Sequence, residues 1–267
     1  MVRSLHVVAS LAIVVLVIAY VLAVDKGLLL QPRWEGVVIS RGVVYLPLPR
    51  PLSNMIVEEA ILLRRSIRDY TSEPVKLEHL ALMLWAAYGV TDPRYEFRAV
   101  PSAGATYPLE VYVVVGERGV LVNESAFLSP GVYKYDPLKH ALSLVKPGDF
   151  RRELARAALG QAWVEEAPVS IVVFAVFERT TIIYGERGRV RYVPMEVGHL
   201  GQNVYLVATA LGYGAVVVGA FYDDEVREVV GAGASEVPMY IIPVGKPEKP
   251  HYMTFEEIWK FIESMRG

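Results

Sequence analysis

The 267-residue chain contains no cysteine. That excludes disulfides, thiolate zinc sites, cysteine-held iron–sulfur clusters and cysteine nucleophiles. It leaves the compartment open, because a chain without thiols is indifferent to redox poise. A basic excess is also missing: 27 Lys and Arg face 29 Asp and Glu, for a net charge of −2. A general nucleic-acid binder needs such an excess, so nucleic acid is not an expected partner. The five histidines (His6, His79, His140, His199 and His251) are scattered. With no HExxH and no paired-histidine spacing, no metal is expected. There is no GxSxG elbow, no Walker loop, no internal repeat and no low-complexity tract.

What is present in excess is apolar: 53% of residues, with a mean hydropathy of +0.33. The excess has an address. Twenty of residues 1–24 are apolar, and Arg3 is their only formal charge. At about 1.5 Å per residue, the run from Leu5 to Val24 reaches roughly 30 Å, the thickness of a bilayer core. It is longer than a secretory h-region, and Val21-Leu22-Ala23 is a poor cleavage site, so an uncleaved single-pass transmembrane anchor is expected. Lys26, Arg33 and Arg41 outweigh Arg3, which places the following domain on the cytoplasmic face. Residues 25–52, with Pro32, Pro47, Pro49 and Pro51, read as a linker carrying a short strand near 42–46. Residues 53–267 read as one domain.

That domain mixes helices and strands without strict βαβ alternation, which predicts α+β. Helices are expected from Ser53 to about Arg65, over 77–88, from Asp149 to about Ala158, and over 193–211, 223–230 and 254–265. Strands are expected at 110–115, 132–135, 142–145, 168–177, 215–219 and 239–244.

Four segments could carry chemistry. Arg64-Arg65-Ser66-Ile67-Arg68 gathers three guanidiniums and a hydroxyl, the donor set an anionic phosphate needs. Arg64 and Arg68 share a face if the helix persists. The small residues of 101–108 (PSAGATYP) let backbone amides approach a ligand closely. Gly212-Tyr213-Gly214 follows a helix and opens a strand, the reverse of a dinucleotide loop, so a Rossmann reading is rejected. Residues 184–192 (YGERGRVRY) are rich in cations and phenols and read as a loop. His199 reads as a core histidine of an apolar helix.

Taken together, RRSIRDY (64–70), LALMLWAAYGVT (80–91), RAVPSAGATYPLEVYVVV (98–115), GVYKYDP (131–137), ALGQAWVEEAPVSIVV (158–173), EVGHLGQNVYLVATALGYGAVVVGAF (196–221) and YIIPVGKP (240–247) resemble the nitroreductase superfamily, in its SagB-type (azoline dehydrogenase-like) branch. The resemblance implies FMN and an α+β sandwich with a mixed, mainly antiparallel sheet packed by helices. It also implies a homodimer with flavin at the subunit interface. By that resemblance Arg64, Arg65, Ser66 and Arg68 hold the phosphate and ribityl chain, joined by Lys246 or Lys249. Ser102, Ala103 and Gly104 lie along the flavin, and Gly219 and Ala220 present a backbone amide to N5. Two residues depart from the family pattern: Ala105 replaces a common Asn, and Ile183 a common basic residue. Acid–base help is assigned to Tyr184, Arg187 and Tyr192.

The expected activity is ping-pong hydride transfer through flavin N5, with NAD(P)H reducing nitro- or quinone-type acceptors. An azoline-type dehydrogenase acting on a modified peptide is the alternative within enzymes. A non-catalytic membrane-tethered flavin-binding or interaction module is the alternative outside them.

Overall fold

Val169–Ala175 is a seven-residue run in which every residue is buried. A strand covered on both faces has no polar side to show, so it reads as a continuous apolar run rather than an alternation. The computed structural model places it inside an eight-stranded sheet. It describes residues 39, 40 and 42–267. The expected anchor over 1–24, its orientation, and residues 25–38 of the expected linker lie outside the described residues. Among the described residues no helix is long and apolar enough to cross a membrane.

The strands are β1 (Ile39–Ser40), β2 (Val43–Tyr45), β3 (Val75–Lys76), β4 (Val90–Asp92), β5 (Phe97–Arg98), β6 (Leu109–Val115), β7 (Val120–Leu121), β8 (Gly131–Asp136), β9 (Ala141–Pro147), β10 (Val169–Ala175), β11 (Gly214–Ala215) and β12 (Val237–Gly245). The large sheet runs β1-β2-β9-β8-β6-β10-β12-β11, antiparallel at every step. Among the described strands, parallel pairing is confined to the small β3–β7 ribbon, apart from a single parallel bridge between Ser66 and Ala215. β1 and β2 fall within the stretch read as linker, yet β2 is hydrogen-bonded to β9.

The helices are α1 (Val57–Leu63), α2 (Leu77–Tyr88), α3 (Arg151–Ala157), α4 (Ala162–Glu166), α5 (Glu178–Tyr184), α6 (Val193–Ala210), α7 (Asp223–Val230) and α8 (Phe255–Arg266). Tyr112, Val114, Val172 and Phe174 form one core with Leu154, Val164, Val226 and Val230 from α3, α4 and α7. Side chains alternate along a strand, so Val113 and Ile171 face the other way, toward the layer of α2 and α6. The result is an α+β sandwich with helices on both faces of the sheet.

Four local expectations are corrected. The first helix begins at Val57 rather than Ser53, whose hydroxyl instead accepts from Met55 N–H at 3.1 Å in a turn. It also ends before the arginine cluster, because Ile67 N–H bonds Ala215 O at 2.9 Å and draws that segment into extended pairing. Residues 184–192 are not a loop: they finish α5 and continue through a π-helical turn into α6. His199 is exposed, not in the core. The strand expected over 215–219 is reduced to β11 and a single bridge between Val218 and Ile241.

Candidate functional site

Residues 64–68 run extended beside β11, where Ser66 bridges Ala215 in parallel. A Cβ on Gly214 would sit 2.7 Å from Ile67 side-chain atoms, so only glycine admits this close approach. In an extended segment alternate residues share a face. Arg64 lies over the Tyr205 ring at 5.0 Å, Ser66 Oγ is 2.9 Å from the Tyr205 hydroxyl, and Arg68 lies over Trp163 at 5.4 Å. Arg64 and Arg68 thus share a face by strand period, not by the helical spacing expected. Val217 N–H donates to the Tyr205 oxygen at 2.9 Å. Either hydroxyl can donate in the Ser66–Tyr205 contact, and with Tyr205 donating the Ser66 proton is available to a ligand.

Arg65 turns the other way. Its guanidinium donates to Leu62 O at 3.1 Å and to its neighbour Arg64 O at 2.7 Å. It lines a cavity of about 200 Å³ with Ile67, Gly212, Tyr213 and Pro247. The Lys246 ammonium lies at that same corner, 3.4 Å from where a Cβ on Gly212 would be and 6.0 Å from the Tyr213 ring centre. Its backbone is fixed by Thr71 N–H, which donates to Lys246 O at 2.8 Å. Lys249 is exposed in the segment that follows β12.

The turn over 102–107 holds a second group of the expected residues. Ser102 Oγ accepts from Tyr107 N–H at 2.9 Å. Gly104 has φ +61°, and the Tyr184 hydroxyl stands 2.8 Å from where its Cβ would be. Ala105 and Tyr107 also take positive φ, at 52° and 45°. Non-glycine residues there store strain, which the surroundings must hold. One hold is the 2.8 Å hydrogen bond between the Thr106 and Thr180 hydroxyls, tying the turn to α5. Tyr184 and Tyr192 meet edge-to-face at 5.0 Å. The structure thus brings Ser102, Ala103 and Gly104 together with Tyr184 and Tyr192. Arg187 is exposed between α5 and the π-helical turn. Gly219 and Ala220 are exposed ahead of α7; Gly219 faces open space, and Ala220 O accepts from the Gln161 amide at 2.9 Å.

Sequence reasoning missed the group behind this turn. Glu196 is 3% exposed; Tyr88 donates to it at 2.7 Å, and the Ser102 hydroxyl also bonds it. Burial raises its carboxyl pKa, opposed by the two hydrogen bonds and by the Arg98 charge. Burial, with Glu196 beside it, also raises the Tyr88 phenol. A signal was present, since Glu196 falls on the buried stripe of α6 with Val193, Val197 and Leu200.

The nitroreductase family profile matches residues 61–246. The chain belongs to the nitroreductase family. A candidate nitroreductase of Methanocaldococcus jannaschii is 50% identical over 195 residues, covering 73% of this chain and 93% of that protein. The microcin B17-processing protein McbC of Escherichia coli is 28% identical over 162 residues, 60% of this chain and 58% of McbC. The crystal structure of a candidate nitroreductase from Ralstonia eutropha superposes with a TM-score of 0.67 at 28% identity, covering 80% of this chain and 93% of that one. These relatives fit the SagB-type branch, and this nitroreductase-family chain is an oxidoreductase.

Proposed function

We propose that the chain binds FMN and passes hydride between a nicotinamide donor and a nitro- or quinone-type acceptor. The observation that carries this reading is the common face of Arg64, Ser66 and Arg68. An FMN phosphate bears about −1.5 to −2 charges, which two guanidiniums and a hydroxyl match. Gly219, with nothing within 4 Å of where its Cβ would be, leaves room for a flat ring. The donors present therefore fit the group.

Bound there, FMN supplies the two-electron chemistry at N5. The chain supplies the rest. Arg64 and Arg68 neutralise the phosphate, held in place by their stacking on Tyr205 and Trp163. Ser66 would donate to a phosphate oxygen, and Lys246, on the Arg65 side of the segment, would contribute charge at longer range. Arg65 spends donors on its own backbone and contributes charge alone. Tyr184 and Tyr192, beside Gly104, exclude water from one edge and offer phenol protons to an acceptor. The active form is a homodimer.

A second reading rests on McbC, a peptide-processing relative: oxidation of an azoline ring in a modified peptide. One series of experiments separates the readings. The purified full chain should be yellow, and Arg64→Ala with Arg68→Ala should release the flavin. Anaerobic bleaching by NADH or NADPH supports the reductase. Bleaching by a thiazoline-containing peptide, with both nicotinamides inert, supports the second reading. A protein that stays colourless after FMN is added sinks both.

A further inference from the structure

A cavity of about 380 Å³ opens at the ends of β6 and β8, and none of its lining residues belongs to the flavin set. Its lining includes Arg98, Glu110, Lys134, Asp136, Leu138 and Arg179. Most of these charges are matched. Glu110 pairs with Lys134 at 3.1 Å and with Arg179, and Lys134 also pairs with Glu236 at 2.9 Å. Asp136 pairs with Lys139 at 3.2 Å.

Arg98 is different. Its guanidinium lies 4.4 Å from the ring centre of Tyr88 and 4.4 Å from that of Tyr107, and those two rings meet edge-to-face with centres 6.3 Å apart. Its Nε is buried without a hydrogen-bond partner. It has no ion-pair partner among the described residues. A guanidinium left with an unmatched buried donor is costly. The two rings are nearly perpendicular and confine the fork on adjacent sides, which limits its rotation and leaves its remaining edge for an oxyanion.

We propose that this cavity is a binding site for a monocarboxylate with an apolar body, held by Arg98. Arg98 is the lining cation without a direct ion pair among the described residues, Glu196 behind it being bonded to Tyr88, and the Glu110 and Asp136 carboxylates in the wall disfavour a second negative charge. Leu109, Val111, Tyr135 and Leu138 supply the apolar surface for the body of the ligand. The volume lies within the range of small-molecule pockets. This inference does not depend on the flavin reading, because no flavin-set residue lines the cavity.

The test is calorimetric titration of the full chain with phenylacetate, with phenylacetamide as the neutral isostere and inorganic phosphate as the dianion. Phenylacetate should bind one per chain, and phenylacetamide and phosphate at least tenfold more weakly. Arg98→Gln should weaken phenylacetate at least tenfold. Leu138→Trp enlarges a lining side chain at a position 59% exposed, away from the rings beside Arg98, and should do the same. It carries the test if Arg98→Gln fails to fold. Equal binding of the amide or of phosphate, or phenylacetate affinity unchanged in a folded variant, would overturn the proposal.

Discussion

Glu196 accepts a hydrogen bond from Tyr88 across 108 residues of chain separation, and Leu109 N–H donates to the same phenol at 3.2 Å. Replacing Glu196 with Ala leaves the buried Tyr88 proton without an acceptor, at a cost of about 1–3 kcal/mol. Gln keeps an acceptor and should cost less. The pH dependence separates charge from shape. Burial raises the folded-state pKa of this carboxyl. Its contribution is therefore complete below the unfolded value of about 4.3, and is lost as pH rises through the folded value. Denaturant melts of wild type and Glu196→Gln, run from pH 4 to pH 8, should shift in favour of Gln as pH rises. A pH-independent difference would show that Glu196 does not titrate differently on folding. The sequence displays a carboxyl on an apolar stripe, which marks it as buried. It cannot display Tyr88 and Ser102 as its partners, because no local pattern links those three positions.

Among the elements, α2 and α7 are legible almost to the residue, since apolar spacing and the stop glycines Gly89 and Gly231 are local signals. The arginine segment is not, because its conformation is decided by Ala215, more than a hundred residues later. Helical propensity favours continuing past Leu63, and pairing with β11 overrides it. The residue set of the candidate phosphate face was still readable, because positions 64, 66 and 68 share a face in an extended chain and the chemistry of the donors does not depend on conformation. Gly214 is the hinge of this arrangement. Its absent side chain lets Ile67 approach, so Gly214→Ala should push residues 64–68 off β11 at a cost of about 1–3 kcal/mol. The same variant should lose flavin while α2 and the central strands remain. Circular dichroism and flavin absorbance on one sample read both effects. A variant that retains wild-type stability and flavin content would show that the close approach does not hold the segment in place.

At the scale of the whole molecule, the sheet order was beyond sequence reading, because antiparallel pairings such as β2 on β9 join distant segments. The C-terminal helix was legible, yet the reason for its apolar face is not in its own fold. Thr254 and Glu257 complete a reciprocal cap, so α8 is well formed. Even so it buries no residue, and it exposes Phe255, Phe261, Trp259 at 59% and Met265 at 73%. α1 leaves Val57 and Ile61 similarly exposed. Apolar area of this kind is costly in water, each large side chain gaining about 1.5–3 kcal/mol on burial. Its charges do not favour an anionic lipid surface, because Glu256, Glu257 and Glu263 outnumber Lys260 and Arg266. The homodimer proposed above would supply a cover for it, with α8 packed on a second copy. Full-length chain in a mild detergent should therefore sediment as two copies. Trp259→Glu with Met265→Glu, on a face that buries no side chain among the described residues, should give one copy with an unchanged fold by circular dichroism. A wild type that sediments as a monomer, or a double variant that remains dimeric, would remove α8 from the interface.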